Sequence, residues 1–136
     1  MQRDARTLLT EIEVAAREIR IFIKDMNFDE YMEDVRTQKA VAFNYAIIGD
    51  ALNRLESASP EMAGRIPYLR QIVGFRNVLV HGYVGIRQTR VWQYSEVNLK
   101  ELQDSIRSLL DELEQTHEAR GIAKPEDNTG SSFDPF

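Results

Sequence analysis

The stretch RTQKAVAFNYAIIGDALNRLE, residues 36–56, decides how the rest of the chain is read. Val41, Tyr45, Ile48, Leu52 and Leu55 recur at alternating steps of four and three, the one-sided stripe of an α-helix. Ala40, Phe43, Ile47 and Ala51 widen the apolar surface beyond one stripe. A helix apolar on more than one face is covered on more than one side, which predicts the central helix of a bundle. Ser57-Ala58-Ser59-Pro60 ends it.

The flanking segments repeat the helical spacing. Upstream, Leu8, Ile12, Ala15, Ile19, Phe22 and Met26 form a second stripe, with Asp4 as its N-cap and Asn27 as its stop. Residues 28–32 fit a short helical turn. Downstream, residues 60–67 make a connection with room for one turn. Pro67 then suits the first turn of a third helix that buries Leu69, Ile72, Phe75 and Leu79. His81-Gly82-Tyr83 closes that helix, because glycine favours the left-handed conformation of helix ends. Val91, Val97, Leu102, Ile106, Leu109 and Leu113 predict one last helix over residues 89–119. The fold expected is all-α: an antiparallel bundle of four to five helices over residues 1–119. Residues 120–136 turn to Gly, Pro, Asp, Asn and Ser and read as a disordered tail.

A chain of 136 residues has the length of one domain, and 43% apolar residues are too many for a disordered one. There is no cysteine, which excludes disulfides, thiolate metal sites and a cysteine nucleophile. Two histidines, His81 and His117, cannot build a multi-histidine metal site, so neither metal nor cofactor is expected. The first residues lack an apolar leader, and no run of ~20 apolar residues occurs. A cytoplasmic protein without a membrane segment is expected.

The net charge of −5 argues at first against a polyanionic ligand. Its distribution argues otherwise. From Met62 to Ser95 there is no Asp or Glu, while Arg65, Arg70, Arg76, Arg87 and Arg90 make the band +5 and leave −10 elsewhere. Within the band, residues 75–83 read FRNVLVHGY. Asn77 and His81 are four apart and share a helix face, so the amide can orient the imidazole. Arg76 and His81 are five apart, roughly 140° from alignment at ~100° per residue, so one helix does not aim both at one phosphate. A two-fold dimer that packs this helix against its mate would gather two arginines and two histidines in one cleft. Each residue also has a plainer role. His81 can be a helix-end histidine satisfied by carbonyls, Arg76 the partner of an acid on a neighbouring helix, and Tyr83 a rim residue. The other band arginines can be solvated surface, with Trp92 and Tyr94 packing residues.

Arg76, Asn77, His81 and Tyr83 stand in the order arginine, polar residue, three more, histidine, any residue, tyrosine. This resembles the signature of the HEPN superfamily in the version carried by HepT-like toxins. The likeness spans residues 4–115. Residues 38–41 through Ile47-Ile48-Gly49-Asp50-Ala51 resemble the family's central helix, and Val91-Trp92 the start of its final one. Two departures stand out: Asp50 replaces the usual glutamate, and Ile66-Pro67-Tyr68-Leu69 replaces a proline-tryptophan pair, a packing change.

The resemblance implies a HEPN-like homodimer that acts as a metal-independent endoribonuclease, the toxin of a type VII-like toxin–antitoxin pair. Arg76 and His81 would be catalytic, Asn77 and Asp50 would support them, and Arg70, Arg87 and Arg90 would contact RNA. The products would be a 2′,3′-cyclic phosphate and a 5′-hydroxyl. A minimal nucleotidyltransferase antitoxin would neutralise the toxin by transferring AMP to Tyr83. A second reading makes the chain a non-catalytic helical binding subunit of a nucleotidyltransferase.

Overall fold

Asp34 lies between two helices and opens the longer one. Its carboxylate accepts from the Thr37 N–H at 3.0 Å and from the Thr37 hydroxyl at 2.9 Å, an N-cap that holds its pKa below the usual carboxylate value. In this computed structural model residues 4–82 and 85–119 are described, with side chains up to residue 116. Tyr83 and the tail expected over residues 120–136 lie outside the described residues, and so does the His117 side chain.

The elements are α1 (Ala5–Ile23), α2 (Phe28–Glu33), α3 (Val35–Ala58), α4 (Pro60–Ala63), α5 (Leu69–Val80), α6 (Gln88–Gln93), a π-helical turn (Tyr94–Asn98) and α7 (Leu99–Ala119). Every regular element among the described residues is helical, as expected. The central position expected for residues 36–56 is also observed: α3 packs on α1 and α5, with α2 and α4 against it as well. Val41, Tyr45, Ile48, Ala51, Leu52 and Leu55 are all buried. Each buried Leu, Ile or Val contributes roughly 1.5–3 kcal/mol, more than the ~1 kcal/mol of a cap, so the stripe sets the fold and the caps set its boundaries.

Several local expectations are corrected. Phe43 does not widen the buried face but is 68% exposed, because α1 and α5 meet α3 along other faces. In α1 the stripe ends on buried Ile23, leaving Phe22 exposed; steps of three and four both fit the helix, and packing selects the second. Asn27 does not stop α1 but starts α2. Its side chain accepts from the Glu30 N–H at 2.8 Å while Glu30 accepts from the Asn27 N–H at 3.0 Å, a reciprocal capping box. Pro67 precedes α5 instead of entering it, since Tyr68 adopts the left-handed region (φ 64°) and breaks the helix before Leu69. The Tyr68 ring packs edge-on against Tyr94 at 5.4 Å, a contact that helps hold this conformation.

The last helix is not continuous. The π-helical turn separates α6 from α7 and keeps both Ser95 and Leu99 inward. Val97, two positions from Leu99, points away and is 69% exposed. The turn is tied to α3 by a buried polar pair. Ser95 Oγ donates to the Val91 carbonyl at 2.7 Å, so its lone pair takes the Tyr45 hydroxyl proton at 2.6 Å. Burial raises the Tyr45 pKa well above its ordinary value, and the phenol stays neutral. Ser95→Ala is expected to leave the Tyr45 hydroxyl unsatisfied and to cost about 1–3 kcal/mol in urea unfolding. Tyr45→Phe, which leaves Ser95 its carbonyl partner, is expected to cost less. Equal losses would show that the bond does not hold the turn.

No helix among the described residues is long and apolar enough to cross a membrane. Trp92 is buried and packs on the rings of Tyr31 and Phe28, the packing role its place in the sequence suggested.

Candidate active site

The site begins where α5 crosses α3. Gly49 lets the two helices approach so closely that a Cβ there would lie 2.5 Å from Arg76 Cβ and 3.1 Å from the Ile72 carbonyl. The missing side chain of one helix is therefore the bed for the arginine stem of the other. Past that bed the Arg76 guanidinium lies 3.7 Å from an Asp50 carboxylate oxygen, and its Nη1 donates to Asn77 Oδ1 at 3.2 Å. The other Asp50 oxygen accepts from Arg54 Nε at 3.0 Å. One carboxylate thus serves two arginines and leaves the group a net positive charge. Among the described residues Arg76 commits one N–H to a hydrogen bond, to Asn77, and a third of its side chain is exposed. A guanidinium so held keeps donors for a phosphate.

His81 closes α5. Its backbone N–H is shared between the carbonyls of Asn77 (3.2 Å) and Val78 (3.3 Å), and Gly82 follows at φ 115°, a left-handed turn that glycine makes without strain. The imidazole is exposed to solvent at this helix end. Asn77, expected to aim that imidazole, meets His81 only through the main chain, its carbonyl accepting from the His81 backbone N–H; its side-chain oxygen accepts from Arg76 instead. Arg76 lies against α3 while His81 ends the helix, in keeping with the angular offset inferred from their spacing.

The arginine band is less bare than its sequence. Arg65 forms a two-pronged pair with Glu112, the nearer contact between Nη2 and Oε2 and the other at 3.0 Å. Arg70 meets Glu56 at 2.5 Å, and Arg76 meets Asp50. Acids absent from residues 62–95 are supplied by α3 and α7. The Arg70 side chain remains 76% exposed, and a pair so solvated is worth ~0–1 kcal/mol, too little to withhold it from a stronger anion. Arg87 and Arg90 are exposed and have no ion pair among the described residues. Arg54 escaped the sequence reading although its signal was present: Asp50 and Arg54 are four apart on one helix. Gly49 escaped it because only the neighbouring helix shows what a Cβ would strike. Among the described residues no group of three or more His, Asp or Glu is placed to hold a metal ion.

The model of the ribonuclease HepT-like family matches residues 12–109, a span that includes Asp50, Arg76, Asn77 and His81. The chain belongs to this family. The likeness seen in residues 4–115 is thereby established over most of its length. Two relatives from Methanocaldococcus jannaschii, named "Putative RNase MJ0125" and "Putative RNase MJ0127", are 25% and 30% identical over 114 and 112 residues. They cover 84% and 79% of this chain and 97% and 92% of their own lengths. A Thermococcus cleftensis relative, "Probable ribonuclease HepT", is 26% identical over 109 residues, 80% of this chain and 98% of its own. No solved structure matches the chain.

Proposed function

We propose that the protein is a metal-independent endoribonuclease, the toxin of a pair whose nucleotidyltransferase antitoxin silences it with AMP on Tyr83. The observation that carries this reading is the Arg76 guanidinium, bedded over Gly49 with donors to spare, five residues before a solvent-exposed His81. In the reaction the ribose 2′-oxygen attacks the adjacent phosphorus and the bond to the 5′-oxygen breaks. A 2′,3′-cyclic phosphate and a 5′-hydroxyl result. His81 accepts the 2′-hydroxyl proton, and a second imidazole returns a proton to the leaving oxygen. Arg76 stabilises the charge that builds on the non-bridging oxygens. Asp50 and Asn77 position that guanidinium.

Each chain offers one such histidine, so two imidazoles require two protomers. The homodimer rests on α5, which buries only Leu69 and Ile72 and leaves Val78 and Val80 exposed. A mate packed on this helix would cover those residues and join two Arg–His ends in one cleft. Arg70, Arg87 and Arg90 extend the positive surface for the RNA backbone. AMP on Tyr83, two residues from His81, adds bulk and a negative phosphate that competes for Arg76.

Incubating the purified protein with mixed RNA is expected to give fragments with cyclic-phosphate and 5′-hydroxyl ends, at a rate unchanged by EDTA. Cleavage lost on chelation would overturn the metal-free mechanism. No cleavage at all would favour the non-catalytic binding subunit.

A further inference from the structure

A second basic site lies away from α5. Where the end of α1 meets the π-helical turn and the start of α7, a pocket of about 420 Å³ opens, lined by Arg17, Arg20, Lys24 and Arg107. Glu96 is the one carboxylate in its lining. Glu13, just outside, pairs with Arg107 at 3.1 Å and Arg17 at 3.8 Å, which still leaves the site at +2. In a chain of net charge −5 such a concentration is local and built.

Ile21 and Ile23 line it beside the cations, and one of those cations is anchored. Arg20 donates from Nη1 to Gln103 Oε1 at 2.8 Å, and Gln103 is 1% exposed. A buried amide requires a partner, so it anchors the guanidinium; being neutral, it leaves the charge uncompensated. Lys24 has no ion pair among the described residues. Buried Ser95 belongs to the π-helical turn, an element that frequently marks functional positions in helices. A pair of exposed cations serving only the helix dipole would need neither the pocket nor the buried glutamine behind it.

We infer that this pocket binds a phosphate group, borne by an RNA backbone or by a free nucleotide, at a place that shares no residue with the Arg76–His81 end of α5. The site does not depend on the nuclease reading. Two probes separate the sources: an uncleavable single-stranded 2′-O-methyl RNA 12-mer, and ATP without magnesium. Each is titrated into the full-length protein and into an Arg20→Gln, Lys24→Gln double variant, whose altered side chains are both exposed.

If the phosphate is that of RNA, the variant binds the 12-mer about tenfold more weakly. Its log–log salt slope falls by about 1.4, two contacts at about 0.7 each for single strands. If the phosphate is that of a nucleotide, ATP saturably shifts the backbone amide signals of Arg20, Ser95 and Gln103 in the wild type and not in the variant. Identical behaviour of wild type and variant toward both probes overturns the assignment. Because neither probe is cut, that failure is distinct from a failure to cleave RNA.

Discussion

Replacing His81 with alanine is expected to lower RNA cleavage by a factor of about 10²–10⁴, the share a positioned proton-transfer group contributes. Stability should stay within about ±0.5 kcal/mol of the wild type. The two expectations come from the same geometry. The His81 backbone, not its ring, carries the bonds to Asn77 and Val78 that finish α5, and alanine keeps that N–H. The imidazole itself is in solvent, where a substrate reaches it and where the fold does not lean on it. Cleavage assays and a urea melt on the same preparation check both halves. Undiminished cleavage by the alanine variant would remove His81 from the mechanism.

Gly49→Ala is expected to do the reverse, damaging fold and activity together. Alanine gains up to ~1 kcal/mol of helix propensity over glycine. Against this stands a methyl group placed 2.5 Å from Arg76 Cβ and 3.1 Å from a backbone carbonyl, neither of which can swing aside. Overpacking of this kind costs about 1–3 kcal/mol, so the clash prevails. Either α3 and α5 separate or Arg76 leaves its bed, and both outcomes move the guanidinium from Asp50. Gly74→Ala in α5 is the control: a Cβ there meets nothing within 4 Å, and the propensity gain should appear undiminished as added stability. Equal stabilisation by the two substitutions, with cleavage intact, would show that the close crossing has no role.

These variants also mark how far sequence reasoning reaches. His81 was legible because its surroundings are local: a helix stripe, a glycine behind it, and a short motif with fixed spacing. The caps at Asp4 and Asp34 act within three residues and belong to the same class, although the sequence marked only Asp4. Gly49 was visible as a letter in a motif but silent about its purpose, because the atom it avoids is on another helix. The arginine band misled for a similar reason. Its lack of acids was a fact about residues 62–95, whereas charge acts through space, and Glu56, Asp50 and Glu112 arrive from outside that interval.

The amino-acid sequence by itself determined that this chain is helical and which helix is central, and it singled out residues 75–83 as the candidate site. Periodicity, caps and glycine conformations depend on neighbours three or four residues away, and those are written in order along the chain. Tertiary structure alone decided the rest. It selected Ile23 over Phe22 for the core, interrupted the last helix at the π-helical turn, gave Arg76 its bed and shared Asp50 between two arginines. It also brought Arg20 onto a glutamine 83 residues away. Such contacts depend on which faces meet, and one-dimensional spacing does not encode the distance between two helices.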